Sequence, residues 1–137
     1  MTAKQYLKQA YRLNELINND LAELEQLKDL STSIAAVRCD RDKVKGGKIG
    51  SKIEFIVVKI IALEEMIDDE IDRFVDLKTA IRNAIVCVEN RNEELLLRLR
   101  YIEFLSWDEI AEKMGFDERY VHKIHADALN NFYVPPI

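Results

Sequence analysis

The sequence predicts an all-α protein, and three observations carry that expectation. Glycine and proline number only 4 and 2 in 137 residues, so turn chemistry is sparse. Charged residues make up 33% of the chain, and most of them are good helix formers. Apolar residues recur at intervals of three and four over long stretches, which is the period of a helix face. The expected architecture is a long N-terminal helical hairpin or coiled coil over residues 1–89, followed by a three-helix unit over residues 90–137.

The first helix is expected from about Ala3 to Leu30. Tyr6, Ala10, Leu13, Ile17, Leu21, Leu24 and Leu27 form its apolar face, with Lys4, Lys8, Glu15 and Glu23 on the other. Residues 31–51 contain Ser31-Thr32-Ser33, a charged cluster from Arg38 to Lys48, and three of the four glycines. They read as a long flexible linker.

From Lys52 to Glu89 runs the longest uninterrupted pattern, through Ile53, Ile56, Ile60, Leu63, Ile67, Ile71, Phe74, Leu77, Ile81, Ile85 and Val88. At 1.5 Å per residue such a helix is about 57 Å long. The shorter first helix is its natural antiparallel partner but leaves part of the stripe bare, so a homodimer through the long helices is expected. The acidic run from Glu64 to Asp72 reads as a solvated face.

Asn90 and Asn92 are both suited to cap a new helix, with Glu93 and Glu94 in its first turn. Leu95, Leu96, Leu99 and Ile102 supply its inner face, and it is expected to end near Phe104 and Leu105. Ser106-Trp107-Asp108-Glu109 is a capping-box sequence, which places the next helix start. Ile110, Ala111 and Met114 line one face of that helix, and Gly115 is placed to end it. Asp117 then caps a third helix carrying Val121, Ile124, Ala128 and Leu129 at helical spacing. A loose tail is expected after Phe132, at Pro135-Pro136.

The stretches Leu99–Ile102, Leu105–Gly115, Val121–His125 and Ala128-Leu129 together resemble the helix-turn-helix of sigma factor region 4. The whole chain, including Ala3–Leu7 and Asp72–Lys78, resembles a phage and prophage family of Gram-positive bacteria. That family is similar in its C-terminal half to the RinA and ArpU late-gene transcriptional regulators. The resemblance implies double-stranded DNA as a partner, with the last helix in the major groove, and RNA polymerase as a second. Carried over by position, the DNA-facing residues are Glu118, Arg119, Tyr120, His122, Lys123 and Ala126. Arg119 and Lys123 suit guanine edges or phosphates, and Tyr120 and His122 suit the backbone. Glu118 and Asp127 depart from the more basic helix usual in sigma proteins. A promoter-melting region has no counterpart, so a free-standing sigma factor is not expected.

Charge works against a nucleic-acid partner. The chain carries a net charge of -5, and from Arg91 onward six Lys and Arg stand against nine Asp and Glu. An acidic module must gather its cations on one face or draw on a second copy. Cys39 and Cys87 match no metal or redox spacing, and no apolar run approaches a membrane span, which points to a cytoplasmic protein. His122 and His125 lack further ligands nearby in sequence and read as groove or surface histidines rather than a metal site. Tyr101 and Trp107 read as core residues. No nucleophile, phosphate loop or paired carboxylate marks a catalytic cleft, so neither enzyme activity nor a cofactor is expected. The leading expectation is a DNA-binding transcriptional regulator. The alternatives are a module that docks on RNA polymerase or another phage protein, and a DNA-packaging adaptor.

Overall fold

The computed structural model describes residues 1–40 and 47–136, and among them it contains six α-helices and no strand. Helix α1 (Ala3–Leu7) opens with a full capping box. The Thr2 hydroxyl accepts from the Gln5 N–H at 3.2 Å, and the Gln5 side chain accepts from the Thr2 N–H at 2.9 Å. After a one-residue turn at Lys8, α2 runs Gln9–Asp40 and α3 runs Gly47–Val86.

The linker expected over residues 31–51 is therefore helical at 31–40 and 47–51, while residues 41–46 lie outside the described residues. Residues 31–40 lack an apolar period, but they also lack Gly and Pro, so nothing in them ends a helix. The Thr32 hydroxyl donates to the Lys28 carbonyl at 3.0 Å, which accommodates a polar side chain inside the helix.

The chain divides into two compact units. Residues Glu15–Asp72 form one, and Met1–Asn14 with Arg73–Ile137 form the other. In the unit of residues 15–72, Ile17, Ile56, Leu63 and Ile67 are buried as their spacing predicts. Leu21 and Ile71, expected on the inner face, are exposed, and Glu70 is buried beside Ile71. Neighbouring residues differ by only about 100° around a helix, so periodicity alone does not choose between them. Leu16, Leu30, Phe55, Val58, Ile61 and Met66 are also exposed in this unit.

The second unit is assembled from both ends of the chain. Its core joins Leu7 and Ala10 to Ile81 and Ile85 of α3, to Val88 just beyond it, and to buried residues of the last three helices. Helix α4 (Arg91–Tyr101) starts at Asn90, whose side chain accepts from the Asn92 and Glu93 N–H groups. It buries Leu96, Leu97 and Leu99, whereas Leu95 faces out and Leu97 takes the inner place expected for it. Helix α4 also ends earlier than expected, because Phe104 adopts a left-handed φ of 59°. A bulky residue held there costs on the order of 1–3 kcal/mol. Its ring is clamped by Tyr11 (5.7 Å, edge-on), Phe74 (6.3 Å) and the Lys78 ammonium (5.4 Å). That packing fixes the turn that leads into α5.

Helix α5 (Trp107–Met114) begins at Ser106, which accepts from the Glu109 N–H at 3.3 Å; this is the forward half of the expected box. Gly115 closes α5 at φ 73°, a conformation that favours glycine. Asp117 caps α6 (Glu118–Asn131), accepting from the Tyr120 N–H at 2.7 Å. Helix α6 packs on α4, α5 and α1. Phe132 is buried, its ring tilted against that of Tyr6 at 5.9 Å, and the tail beyond it is not loose throughout, since Val134 packs on the same core.

Leu7 is fully buried although it lies some ninety residues from α4 in sequence. Leu7→Ala should cost about 2–5 kcal/mol. Trp107 is the single tryptophan and lies in this unit, so its fluorescence in a denaturant titration should show an earlier transition. An unchanged Trp107 transition would separate the N-terminal segment from the unit.

Candidate nucleic-acid interface

Helix α6 presents its outer face because its inner face is fixed by the core. Val121, Ile124, His125 and Ala128 are buried, so at about 100° per residue the opposite face is centred on Arg119, Lys123 and Ala126. Glu118 and His122 lie along one edge of that face, and Tyr120 and Asp127 along the other. All six residues singled out from the sequence are exposed.

The structure draws three of them together. Arg119, Tyr120 and Lys123, with the capping Asp117, line a shallow depression of about 470 Å³ at the start of α6. Among the described residues, neither Arg119 nor Lys123 has an ion-pair partner. The Tyr120 ring is steadied edge-on by Phe116 at 4.9 Å. The other members are placed differently. Glu118 approaches His122 at 3.7 Å along the edge. Ala126 leaves the middle of the face open to close approach. Glu118 and Asp127 lie on opposite edges of the face, and Asp117 shares the depression with the two cations.

His125 corrects the reading of both histidines as groove or surface groups. It is buried, and its Nε2 lies 2.7 Å from the Tyr101 hydroxyl. The Trp107 ring packs against it at 4.7 Å and against His122 at 4.5 Å. Burial, reinforced by the positive charges of Lys4, Arg100, His122 and Lys8, lowers the His125 pKa from 6.5 to about 4. The ring is therefore neutral near pH 7, and with its proton on Nδ1 it accepts the Tyr101 O–H. Burial also raises the Tyr101 pKa, with Arg100 opposing, so the phenol keeps its proton. Tyr101 is buried as its sequence position suggests, and Trp107 is half-buried against the same core.

A second concave feature has no counterpart among the features expected from the sequence. Lys8, Arg12 and Arg100, with Tyr11, Phe104, Ser106 and Glu109 among its other walls, line a cleft of about 490 Å³. Arg100 is fixed within it. Its guanidinium donates to the Leu105 carbonyl at 2.9 Å and lies 4.4 Å over the Trp107 ring. In sequence, Lys8 looks like part of the solvated side of a long helix, and Arg12 carries no signal of its own. The available signal was the composition of residues 1–14, which hold three Lys and Arg and no Asp or Glu.

Among the described residues, no group of three His, Cys, Asp or Glu is placed to hold a metal ion. Cys87 is an exposed free thiol. No described helix is long and apolar enough to cross a membrane.

The family model described as "Protein of unknown function (DUF1492)" matches residues 33–132. The chain belongs to that family. Neither a curated protein nor a solved structure matches it. The DUF1492 match contains α3 to α6 and every residue of the outer α6 face, and it begins after Lys8 and Arg12.

The buried imidazole makes stability depend on pH. Unfolded, His125 binds a proton near 6.5; folded, only near 4. Between these values the unfolded state holds more protons, so stability is full above 6.5 and falls as the pH is lowered towards 4. The loss should be on the order of 2–3 kcal/mol, read by Trp107 fluorescence in denaturant series at several pH values. His125→Gln should flatten that dependence; an unaltered slope in the variant would assign it to other groups.

Proposed function

We propose that the chain is a sequence-specific DNA-binding transcriptional regulator of phage or prophage origin. Helices α5 and α6 act as a helix-turn-helix, and the outer face of α6 enters the major groove of double-stranded DNA. The observation that carries this reading is the centre of that face: Arg119 and Lys123, free of ion pairs among the described residues, beside the small Ala126. Arg119 suits bidentate bonding to guanine O6 and N7, Lys123 a guanine edge or a phosphate, and the Ala126 methyl a thymine methyl. Tyr120 and His122, at the edges, are suited to flanking phosphates. The resemblance to sigma factor region 4 adds RNA polymerase as a second partner.

Charge supports the reading more than the last third of the chain suggests. The unit that contains α6 also contains residues 1–14 and 73–90. It holds twelve Lys and Arg against eleven Asp and Glu, while residues 15–72 hold eight against fourteen. The acidity of the protein is thus concentrated outside the unit proposed to meet DNA.

Arg119→Ala with Lys123→Ala should leave the helical circular dichroism intact and weaken binding to a duplex of about thirty base pairs. Loss of Lys123 from a phosphate should make the slope of log K against log salt shallower by up to about one, and loss of Arg119 from a guanine edge should lower discrimination between sequences. Salt-insensitive association with RNA polymerase, untouched by these changes, would instead favour a protein-docking module.

The exposed Phe55, Val58, Ile61 and Met66 of α3 support self-association through the long helices, which would also supply a second copy of α6 for a two-part operator. Sedimentation should then give a dimer at micromolar concentration, and Phe55→Glu with Val58→Glu should give a monomer. A monomeric parent protein would remove the dimer from this reading.

A further inference from the structure

The cleft lined by Lys8, Arg12 and Arg100 holds three cations and one carboxylate, Glu109, in a chain whose net charge is -5. Among the described residues none of the three cations has an ion-pair partner, although acids are plentiful. Such a concentration of unpaired positive charge is a site for an anion. Burial is the main cause of the lowered His125 pKa, and the charges of Lys4, Arg100 and Lys8 lower it further.

The donors are also arranged for one. Arg100 is held in place by its bond to the Leu105 carbonyl and by the Trp107 ring, so little order is lost when it binds. Ser106 accepts the Glu109 N–H, which leaves its own hydroxyl hydrogen to donate outward. The cleft also borders the start of α5, where the helix dipole favours negative charge.

The position of the cleft indicates which anion. The Arg100 guanidinium lies 4.4 Å from the Trp107 ring, which also packs against the His122 ring of α6 at 4.5 Å. The cleft cation and the edge of the outer α6 face are therefore no more than about 9 Å apart, less than the roughly 12 Å width of the major groove. A phosphate on the rim of a groove occupied by α6 falls within reach of the cleft.

We propose that Lys8, Arg12, Arg100 and Ser106 form a clamp for a DNA backbone phosphate bordering the groove that α6 reads. The clamp rests on the reading of α6 as a groove helix. It makes the N-terminal segment part of the DNA interface and fixes the register of α6 on the duplex, because phosphate contacts orient a protein without reading sequence.

The test uses the full chain and fluorescent random-sequence duplexes of about thirty base pairs, titrated from low to physiological salt. Lys8→Ala with Arg12→Ala should lower affinity about tenfold or more, uniformly across sequences, and reduce the salt slope by about one to two. Arg12→Glu should weaken binding further, and Arg12→Lys should restore most of it. Trp107 fluorescence melts establish that each variant is folded. If Arg119→Ala with Lys123→Ala weakens DNA binding but the folded cleft variants do not, the clamp is overturned and the groove reading stands. If the parent chain binds no duplex, or the α6 variants change nothing, the groove reading fails and takes the clamp with it. Inorganic phosphate that perturbs Trp107 in the parent chain but not in the cleft variants, with DNA affinity unchanged by them, would assign the cleft to a small free anion and overturn the proposal.

Discussion

The burial of Leu7 and Ala10 against the last three helices is the contact on which the unit depends. Helices α4, α5 and α6 have 11, 8 and 14 residues, too few to close a core of their own. They are completed by two apolar surfaces from elsewhere: the N-terminal segment, and the α3 end with Ile81 and Ile85 and, just beyond it, Val88. The same docking brings Tyr11 onto Phe104, and so holds the left-handed residue that aims α5. It also carries Lys8 and Arg12 to the start of that helix. Packing and electrostatics thus have one origin, an amphipathic segment with its apolar side buried and its cations outward.

Trp107 links these two consequences. It carries Arg100 on one side and meets both His122 and His125 of α6. An indole in this position fixes the distance between the cationic cleft and the outer face of α6. Its half-buried state follows from serving the core and the surface at once. The hydrogen-bonded Tyr101 and His125 lie beneath it. A neutral buried imidazole there keeps a further charge out of the core while still satisfying the phenol.

What could be read in the sequence was what is decided locally. The caps at Asn90, Ser106 and Asp117, the glycine stop at Gly115, and the buried run Ile110, Val121, Ile124 and Ala128 each follow from residues a turn or two away. The outer α6 face was taken from the resemblance to sigma factor region 4, and its exposure agrees with the buried side that the helical spacing fixes. Contacts between distant parts of the chain were not legible. Nothing near Leu7 indicates that it packs under helices ninety residues later, and nothing near Arg12 reveals that Arg100 shares its cleft. Choices between adjacent positions also escaped: Leu97 over Leu95, and Glu70 over Ile71, depend on which neighbour the rest of the fold presents. Phe104 is the sharpest case, because a phenylalanine carries no local signal for a left-handed backbone and takes one only where two other helices hold it.

The unit that holds α6 is discontinuous, and residues 15–72 interrupt it. Synthesis proceeds from the first residue, so Leu7 and Ala10 leave the ribosome long before α6, onto which they close, has been made. Through that interval the segment has only its own short capped helix to organise it, and its apolar side is open to other surfaces. Closure therefore waits for α6 and joins two segments that the compact unit of residues 15–72 separates in sequence. A chain cut or stalled before α6 would contain every cation of the cleft and still have no cleft.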